Sequence, residues 1–255
     1  MAETQKLYLG DDEIGITRFG EDGNLIRGAF PFSLGIDYLV VGAGGGGGTR
    51  DGVEGGGGGA GRFLSQTANL ATANTLSIVI GSGGSPNNNG GVTTLIGSGI
   101  TQRMPGGGAG GSGLNDDGNS GGSGGGGAKG IDADGGTAAG AGIGLSDDQG
   151  TGVNGSDGDA NNAANGGGSA TQWLDGITYA IGGARGDNGG TPETTKGSGG
   201  DGENDSGTIS ATSGQSGIVK IRYAGNQKAT GGTITQDGGY TYHTFTGNGT
   251  FTVTG

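Results

Sequence analysis

Apolar residues occur along this chain in short groups separated by long stretches of glycine and polar residues. Five groups are rich in β-branched and aromatic residues, and four of them are followed directly by glycine, which is the pattern of short β-strands. They lie at residues 36–41, 76–80, 92–96, 177–181 and 218–223. No helical signal accompanies them, so the sequence predicts a mostly β or irregular fold with little or no α-helix.

The two ends of the chain have a more ordinary apolar content than the middle. Residues 1–35 contain short apolar–polar alternations closed by glycine, and they are too few to fold stably alone. Residues 226–255 contain Thr- and aromatic-rich runs separated by Asp237-Gly238-Gly239 and Asn248-Gly249, which is a strong hairpin signal. We therefore divide the chain into an attachment segment at 1–35, a glycine-rich core domain at 36–225 and a C-terminal β-hairpin at 226–255.

Glycine dominates the middle of the chain, with unbroken runs at residues 44–48 and 55–59. The 255 residues include 73 glycines and 4 prolines, and hydrophobic residues make up 29%. Such a composition is typical either of a disordered linker or of chains that pack closer than side chains allow. The regularly placed strands favour the second alternative.

Polyglycine II helices provide a physical basis for packed glycine. Such a helix has three residues per turn and no internal hydrogen bonds, so its backbone groups must pair with neighbouring helices. Inner faces then require glycine, while Asn, Asp, Ser and Thr are tolerated outside and in the connecting loops. The predicted fold is a polyglycine II-type sandwich framed by short β-strands.

Charge and composition exclude several classes of function. The formal net charge is −12 and the pI is about 4.2, with no basic patch, which argues against nucleic acid as a partner. The chain contains no cysteine, and no segment has the apolar length of a membrane span. The opening residues lack the pattern of a secretory signal, so we expect neither membrane insertion nor secretion.

Three stretches together resemble the glycine-rich domains of phage tail-fibre and other virion proteins, especially those of marine phages. They are residues 37–41 running into 44–48, residues 216–223, and residues 243–253. In similar tail-fibre adhesins a polyglycine II sandwich holds variable loops at the fibre tip, where they touch the host receptor. In related chains the His-Thr-Phe-Thr strand pair often precedes the Asp-Tyr-Leu-Val-Val strand, whereas here it ends the chain. We expect the hairpin to close onto the core of its own chain or of a neighbouring subunit.

The sequence motifs for nucleotide binding, calcium binding and catalysis are weak. Residues 124–130 fail the phosphate-binding loop pattern, and the acidic stretch at 157–161 has only the first half of a calcium loop. His243 is the single histidine and has strand residues as neighbours, which favours packing over catalysis. Trp173 and Tyr179 are interpreted either as members of a small hydrophobic core or as residues that contact the receptor. We expect no enzymatic activity, cofactor or metal.

The resemblance implies a virion structural protein, a tail-fibre or tail-tip component that presents loops for host-cell attachment. The candidate loops are residues 114–120, 145–162 and 186–205. Their proposed receptor-contact residues are Leu114, Asn115, Asp116, Asp117, Asn119, Asp147, Asp148, Asn154, Asp157, Asp159, Asn161, Asp187 and Asn188.

The expected partners are other virion or tail proteins, bound through residues 1–35, and a host polysaccharide or outer-membrane protein. We expect a homo-oligomer, with a trimer favoured, made in the host cytoplasm and located in the virion. The alternatives are a purely structural fibre, adaptor or decoration protein and, more remotely, an ice-binding protein.

Overall fold

The computed structural model describes most of the chain in full and three N-terminal strands by their backbone. The fully described residues are 33–114, 116–129, 166–168, 170–185 and 195–254. Within the described residues the regular structure is entirely β, as the sequence predicts. The strands are β1 (Thr4–Leu9), β2 (Asp12–Phe19), β3 (Leu25–Arg27), β4 (Ser33–Val41), β5 (Phe63–Ala71), β6 (Thr75–Val79), β7 (Thr93–Gly97), β8 (Ile100–Met104), β9 (Thr171–Gln172), β10 (Thr178–Tyr179), β11 (Ile218–Ala224), β12 (Ala229–Thr230), β13 (Thr233–Asp237), β14 (Tyr240–Phe245) and β15 (Gly249–Val253).

Two five-stranded antiparallel sheets carry most of these strands. Sheet one has the order β13-β14-β11-β4-β5, and sheet two has the order β12-β15-β6-β7-β8. Strands β1, β2 and β3 form a sheet of their own, and β9 pairs with β10. Strand β4 pairs with β5 along its whole length, from Ser33 opposite Ala71 to Val41 opposite Phe63.

The apolar alternation of the strands builds one core between the two sheets, which together form a β sandwich. Along β4, Ile36, Tyr38 and Val40 point inward and are buried against residues of sheet two such as Leu76 and Ile78. Residues at the alternate positions, including Leu39, belong to a second, smaller cluster on the outer face of sheet one. Apolar side chains are therefore concentrated in the strands.

The C-terminal strands close both sheets. Strand β13 turns into β14 through Gly238 and Gly239, which both have positive φ (55° and 81°), as a tight hairpin turn requires. Strand β14 pairs with β11 in sheet one, whereas β15 pairs with β6 in sheet two. The end of the chain thus ties the two sheets together, and β11 separates β14 from β4.

Six strands of the sandwich run directly into, or out of, glycine segments at one end of the sandwich. Each of β4, β5, β6, β7, β8 and β11 is continuous with such a segment. These six segments and four others form the glycine lattice, which comprises residues 43–48, 55–60, 81–84, 88–91, 106–111, 122–128, 166–168, 181–185, 197–203 and 212–217.

The segment at 43–48 shows the lattice geometry most clearly, because its hydrogen-bond partners repeat every three residues. Its backbone N–H groups donate at 2.8 to 3.1 Å to three neighbouring segments, in residues 88–91, 212–215 and 56–59. Its carbonyl groups accept from three further neighbours, in residues 84–87, 107–110 and 200–203. Six neighbours with a period of three are the signature of packed polyglycine II helices.

The remaining bonds arrange the lattice in three rows. The middle row holds segments 81–84, 43–48, 55–60 and 166–168. One flanking row holds 88–91, 106–111 and 122–128, and the other holds 212–217, 197–203 and 181–185. Segments 43–48 and 55–60 are therefore interior, and their backbone groups are satisfied by other backbone groups, as burial demands.

The interior leaves no room for side chains. A Cβ atom added to Gly46 would lie 2.1 Å from the carbonyl oxygen of Ser85, and one added to Gly47 would lie 1.9 Å from that of Asp201. These obstacles are backbone atoms that already hold hydrogen bonds elsewhere in the lattice, so they cannot move away cheaply. Glycine is needed here for space.

We predict that Gly46→Ala destabilises the protein by about 3 kcal/mol or more, because its methyl group overlaps the Ser85 backbone. Gly247→Ala is the matched control, since a Cβ there meets nothing within 4 Å. Urea unfolding followed by circular dichroism measures both variants. Equal unfolding midpoints for the two variants would contradict close glycine packing.

His243 lies buried in the β sandwich and is neutral. Its Nδ1 is 2.7 Å from the carbonyl oxygen of Gly231, which can only accept, so Nδ1 carries the proton. Its Nε2 then accepts a hydrogen bond from the Tyr223 hydroxyl at 2.9 Å, and that hydroxyl accepts one from the Lys228 backbone. Burial lowers the pKa of His243 below its ordinary value of 6.5.

We predict that this histidine makes the fold sensitive to mild acid. A lowered pKa in the folded state leaves stability intact above pH 6.5 and reduces it as the pH falls from there toward the folded pKa. Between about pH 7 and about pH 5, the wild type should lose more stability than His243→Gln, which cannot be protonated. Both proteins contain the same acidic groups, so the contribution of these groups cancels when the two losses of stability are compared. Parallel stability curves for the two proteins would refute the prediction.

Candidate functional site

The lattice has an end that faces away from the β sandwich, and the loops that connect its segments converge there. We call this end the tip. Its described residues are 49–54, 85–88, 112–114, 116–117 and 203–208, together with Lys129. The lattice segments reach it from different parts of the chain, so one surface is composed of residues far apart in sequence.

Side-chain hydrogen bonds join the tip loops to one another. Asn87 accepts from the backbone N–H of Thr49 at 2.7 Å and donates through Nδ2 to the Thr49 hydroxyl at 2.6 Å. Asn87 has a positive φ of 65°, a conformation that asparagine tolerates better than most residues. The pair fixes the loop at 49–54 against the turn at 85–88.

Charged residues make the next set of links. The backbone N–H of Arg50 donates to Glu203 at 3.0 Å, and Lys129 forms an ion pair with Asp205. The Lys129 backbone also donates to the carbonyl of Glu54 at 3.0 Å. Three loops from distant parts of the sequence are thereby held in one arrangement, which lowers the entropy cost of binding a partner.

The described part of the tip is predominantly acidic, with one large exposed apolar side chain. Leu114 is 68% exposed and lies beside the acidic residues of the same loop. The acidic side chains at the surface of the tip are Asp51, Asp116, Asp117, Glu203 and Asp205, against the basic side chains of Arg50 and Lys129, whereas Glu54 is buried.

The structure brings part of the predicted receptor-contact set to this tip. Leu114, Asp116 and Asp117 are exposed there, and Asp116 lies 3.4 Å from the Ser112 hydroxyl. Asn119 lies along the side of the lattice, where its backbone donates to Ala109 at 2.8 Å. The other predicted residues, namely Asn115, Asp147, Asp148, Asn154, Asp157, Asp159, Asn161, Asp187 and Asn188, lie outside the described residues.

Residues 197–203, within the stretch proposed as the loop 186–205, form a lattice segment. Asp201 in this segment is only 4% exposed, and its Oδ1 accepts from the Ala184 backbone at 2.8 Å. Its Oδ2 has no hydrogen-bond partner, and burial raises the pKa of this carboxyl group. Asp201 thus works as an acceptor inside the lattice.

Sequence reasoning missed the loop at residues 49–54 and the turn at 85–88. Residues 49–54 lie between the two glycine runs at 44–48 and 55–59 and were not among the predicted loops. A usable signal was present, because a break between two packed glycine runs has to reverse the chain at one end of the lattice. Arg50 and Asp51 follow from that rule as surface candidates.

A second polar cluster covers part of the outer face of sheet one. Trp173 and Tyr179, which are 4% and 2% exposed, lie on this face, and the Trp173 indole donates to Ser65 at 3.0 Å. Asp175 accepts from Lys220 and from Tyr179. Burial favours the neutral form of Asp175, but these hydrogen bonds outweigh it and lower its pKa. Burial and the Asp175 carboxylate raise the pKa of Tyr179.

The described residues contain neither a metal-binding cluster nor a membrane-spanning helix. Among them, no three His, Cys, Asp or Glu side chains gather as a metal ion would require. His243 is enclosed in the sandwich core. The same residues contain no helix long and apolar enough to cross a membrane.

Comparison with known proteins gives one family. The family described as a glycine-rich domain matches residues 28–224, a range that contains every lattice segment and strands β4 to β11. No curated protein and no solved structure matches the chain. The match covers more than half of the chain, and the lattice gives its glycine content a structural cause.

We predict that Asn87→Gly loosens the tip without disturbing the lattice. Glycine keeps the positive φ but removes both hydrogen bonds to Thr49, so the Thr49 amide should exchange about tenfold faster with solvent deuterium. Asn88→Ala is the control, because the Asn88 side chain bonds only within its own turn. Unchanged exchange at Thr49, or faster exchange throughout the lattice, would contradict the assignment.

Proposed function

This chain belongs to the glycine-rich domain family, and we propose that it is a structural protein of a phage particle that serves at the tail fibre or tail tip and attaches the particle to its host. In this proposal the chain binds and does not catalyse. The lattice acts as a rigid support, and the tip makes the contact with the host surface.

The observation that carries the proposal is that the N-terminal segment and the tip lie at opposite ends of the domain. Strand β4 enters the lattice at Val41, so Ser33 lies at the opposite end of the strand, away from the tip. The chain that precedes Ser33 therefore joins the domain at the end far from the exposed loops. A fibre component needs this arrangement, with attachment at one end and recognition at the other.

Rigidity supports the same role. Each interior lattice segment is bonded to six neighbours by its backbone, and the tip loops are joined by the Thr49–Asn87 and Arg50–Glu203 contacts. Loops held in one arrangement lose little entropy on binding, which favours recognition of a repeated surface receptor.

The proposal includes the partners expected from the sequence. Residues 1–35 bind other virion or tail proteins, the tip binds a host polysaccharide or outer-membrane protein, and the chain assembles as a homo-oligomer, with a trimer favoured. The protein acts in the virion after synthesis in the host cytoplasm.

We predict that removing the exposed tip side chains reduces adsorption without preventing assembly. The variant combines Leu114→Ser, Asp116→Ser and Asp117→Ser, three exposed positions in one loop of the tip. Particles carrying it should contain normal amounts of the protein and adsorb to host cells at least about tenfold more slowly.

The control combines Ile96→Ser and Thr101→Ser, a paired and exposed set on sheet two. Immunogold electron microscopy of the same particles should place the protein at the distal end of the tail or fibre. Normal adsorption of the tip variant, with the label in an internal position, would favour a purely structural fibre, adaptor or decoration role instead.

A further inference from the structure

The outer face of sheet one is divided into a covered half and an open half. Near the lattice, β9 and β10 lie over the sheet, and Trp173 and Tyr179 pack there with Leu39 and Ile218. Toward the beginning of β4 this cover ends. The residues that follow on the same face of the sheet, among them Gly35 and Asn69, are exposed.

Strand register arranges the open half in two cross-strand rows. Gly35 lies opposite Asn69, and Ala224 lies opposite Tyr240, so the first row has two small residues between two larger ones. The second row contains Thr67 opposite Asp37, Asp37 opposite Arg222, and Arg222 opposite Tyr242. The small residues form the floor of a trough, and the second row forms one wall.

The trough is a cleft of about 280 Å³. Its lining includes Gly35, Asp37, Thr67, Asn69, Ala224 and Tyr240. This volume is near the lower limit of small-molecule sites, which is roughly 300 Å³. It is the size of site that one ring-sized polar group fills.

Several polar side chains that line this cleft have no hydrogen-bond partner among the described residues. Within the described part of the chain, the Thr67 hydroxyl, the Asn69 carboxamide and the Tyr240 hydroxyl make no hydrogen bond, and Asp37 uses only Oδ2. In the covered half the comparable groups are paired, as Ser65 is with Trp173. The open half therefore presents an unused set of hydroxyl, amide, carboxylate and phenol groups.

Arg222 holds two of these groups in place. Its Nε donates to Asp37 Oδ2 at 2.9 Å, and its guanidinium carbon lies 4.3 Å from the centre of the Tyr240 ring. The pair Arg222–Asp37 is neutral as a unit. The cleft thus combines preorganised donors and acceptors with an aromatic ring and no excess positive charge.

We propose that this trough binds an uncharged saccharide unit. A sugar ring offers several hydroxyl groups to a set of mixed donors and acceptors, and its C–H faces suit an aromatic neighbour. The chain's net charge of −12 disfavours acidic ligands, including sulfated or carboxylated sugars. The site is separate from the tip and does not depend on the role proposed for it.

The test is an NMR titration of the whole ¹⁵N-labelled chain. The probes are methyl α-mannopyranoside, methyl β-glucopyranoside, methyl β-galactopyranoside and N-acetylglucosamine, each to about 20 mM, the range expected for a single shallow sugar site. We expect at least one probe to shift the amide signals of Gly35, Asn69 and Tyr240 in a saturable manner. Signals of the tip, such as that of Asp116, should not move.

Two variants remove the site without removing the fold. Gly35→Val fills the floor with a residue that strands favour, and a Cβ at Gly35 meets only Asn69 Oδ1, at an ordinary 3.4 Å. Asn69→Ala removes an exposed carboxamide. Each variant should weaken binding by at least about tenfold. Thr101→Ala, on the other sheet, should bind like the wild type.

Three results would overturn the proposal. They are no saturable shift with any of the four probes, shifts located away from the trough, and equal affinity in Gly35→Val and the wild type. The triple tip variant should retain full saccharide binding even though its particles adsorb poorly, so failure of the trough site and failure of the tip proposal give different results.

Discussion

The backbone hydrogen bond between glycine segments is the interaction on which this structure depends. In the segment at 43–48, N–H and carbonyl groups bond to six surrounding segments, with a period of three residues. The spacing that makes these bonds is so short that a single Cβ would overlap a neighbouring carbonyl oxygen. The high glycine content follows from this spacing, and a composition typical of disorder belongs here to a closely packed interior.

The β sandwich provides what the lattice lacks, namely register. Backbone bonds between glycine segments do not depend on side chains, so a segment could shift along its neighbours by one turn without losing hydrogen bonds. Strands β4, β5, β6, β7, β8 and β11 prevent this, because each fixes the start or the end of one segment through its own cross-strand pairs. Alternating apolar residues such as Ile36, Tyr38 and Val40 fix the strands. The few hydrophobic residues therefore lie in the strands, where they fix the alignment of the glycine segments.

The sequence predicted the fold class and several strands because these depend on local pattern. Residues 36–41 lie within β4, and 218–223 lie within β11. Strand β5 was missed, because Ser65, Gln66 and Thr67 give it a polar character that only pairing with β4 overcomes. The tip could be predicted only in part, since Leu114 stands out in sequence while Thr49 and Asn87 gain meaning from contact. The trough could not be predicted, because it arises from register between four strands.

The tip and the trough differ in how strongly a substitution there would disturb the rest of the structure. Tip residues such as Leu114 and Asp116 are exposed, and the lattice beneath them is bonded mainly through backbone groups, so their side chains can change with little effect on the interior. The trough residues belong to the sheet that sets the lattice register, and Asp37 is fixed by Arg222 across a strand pair. A surface of the first kind suits a partner that varies, whereas one of the second kind suits a ligand that stays the same. Backbone bonding in the lattice is what separates the two surfaces, because it leaves exposed tip side chains such as Leu114 outside the packing of the interior.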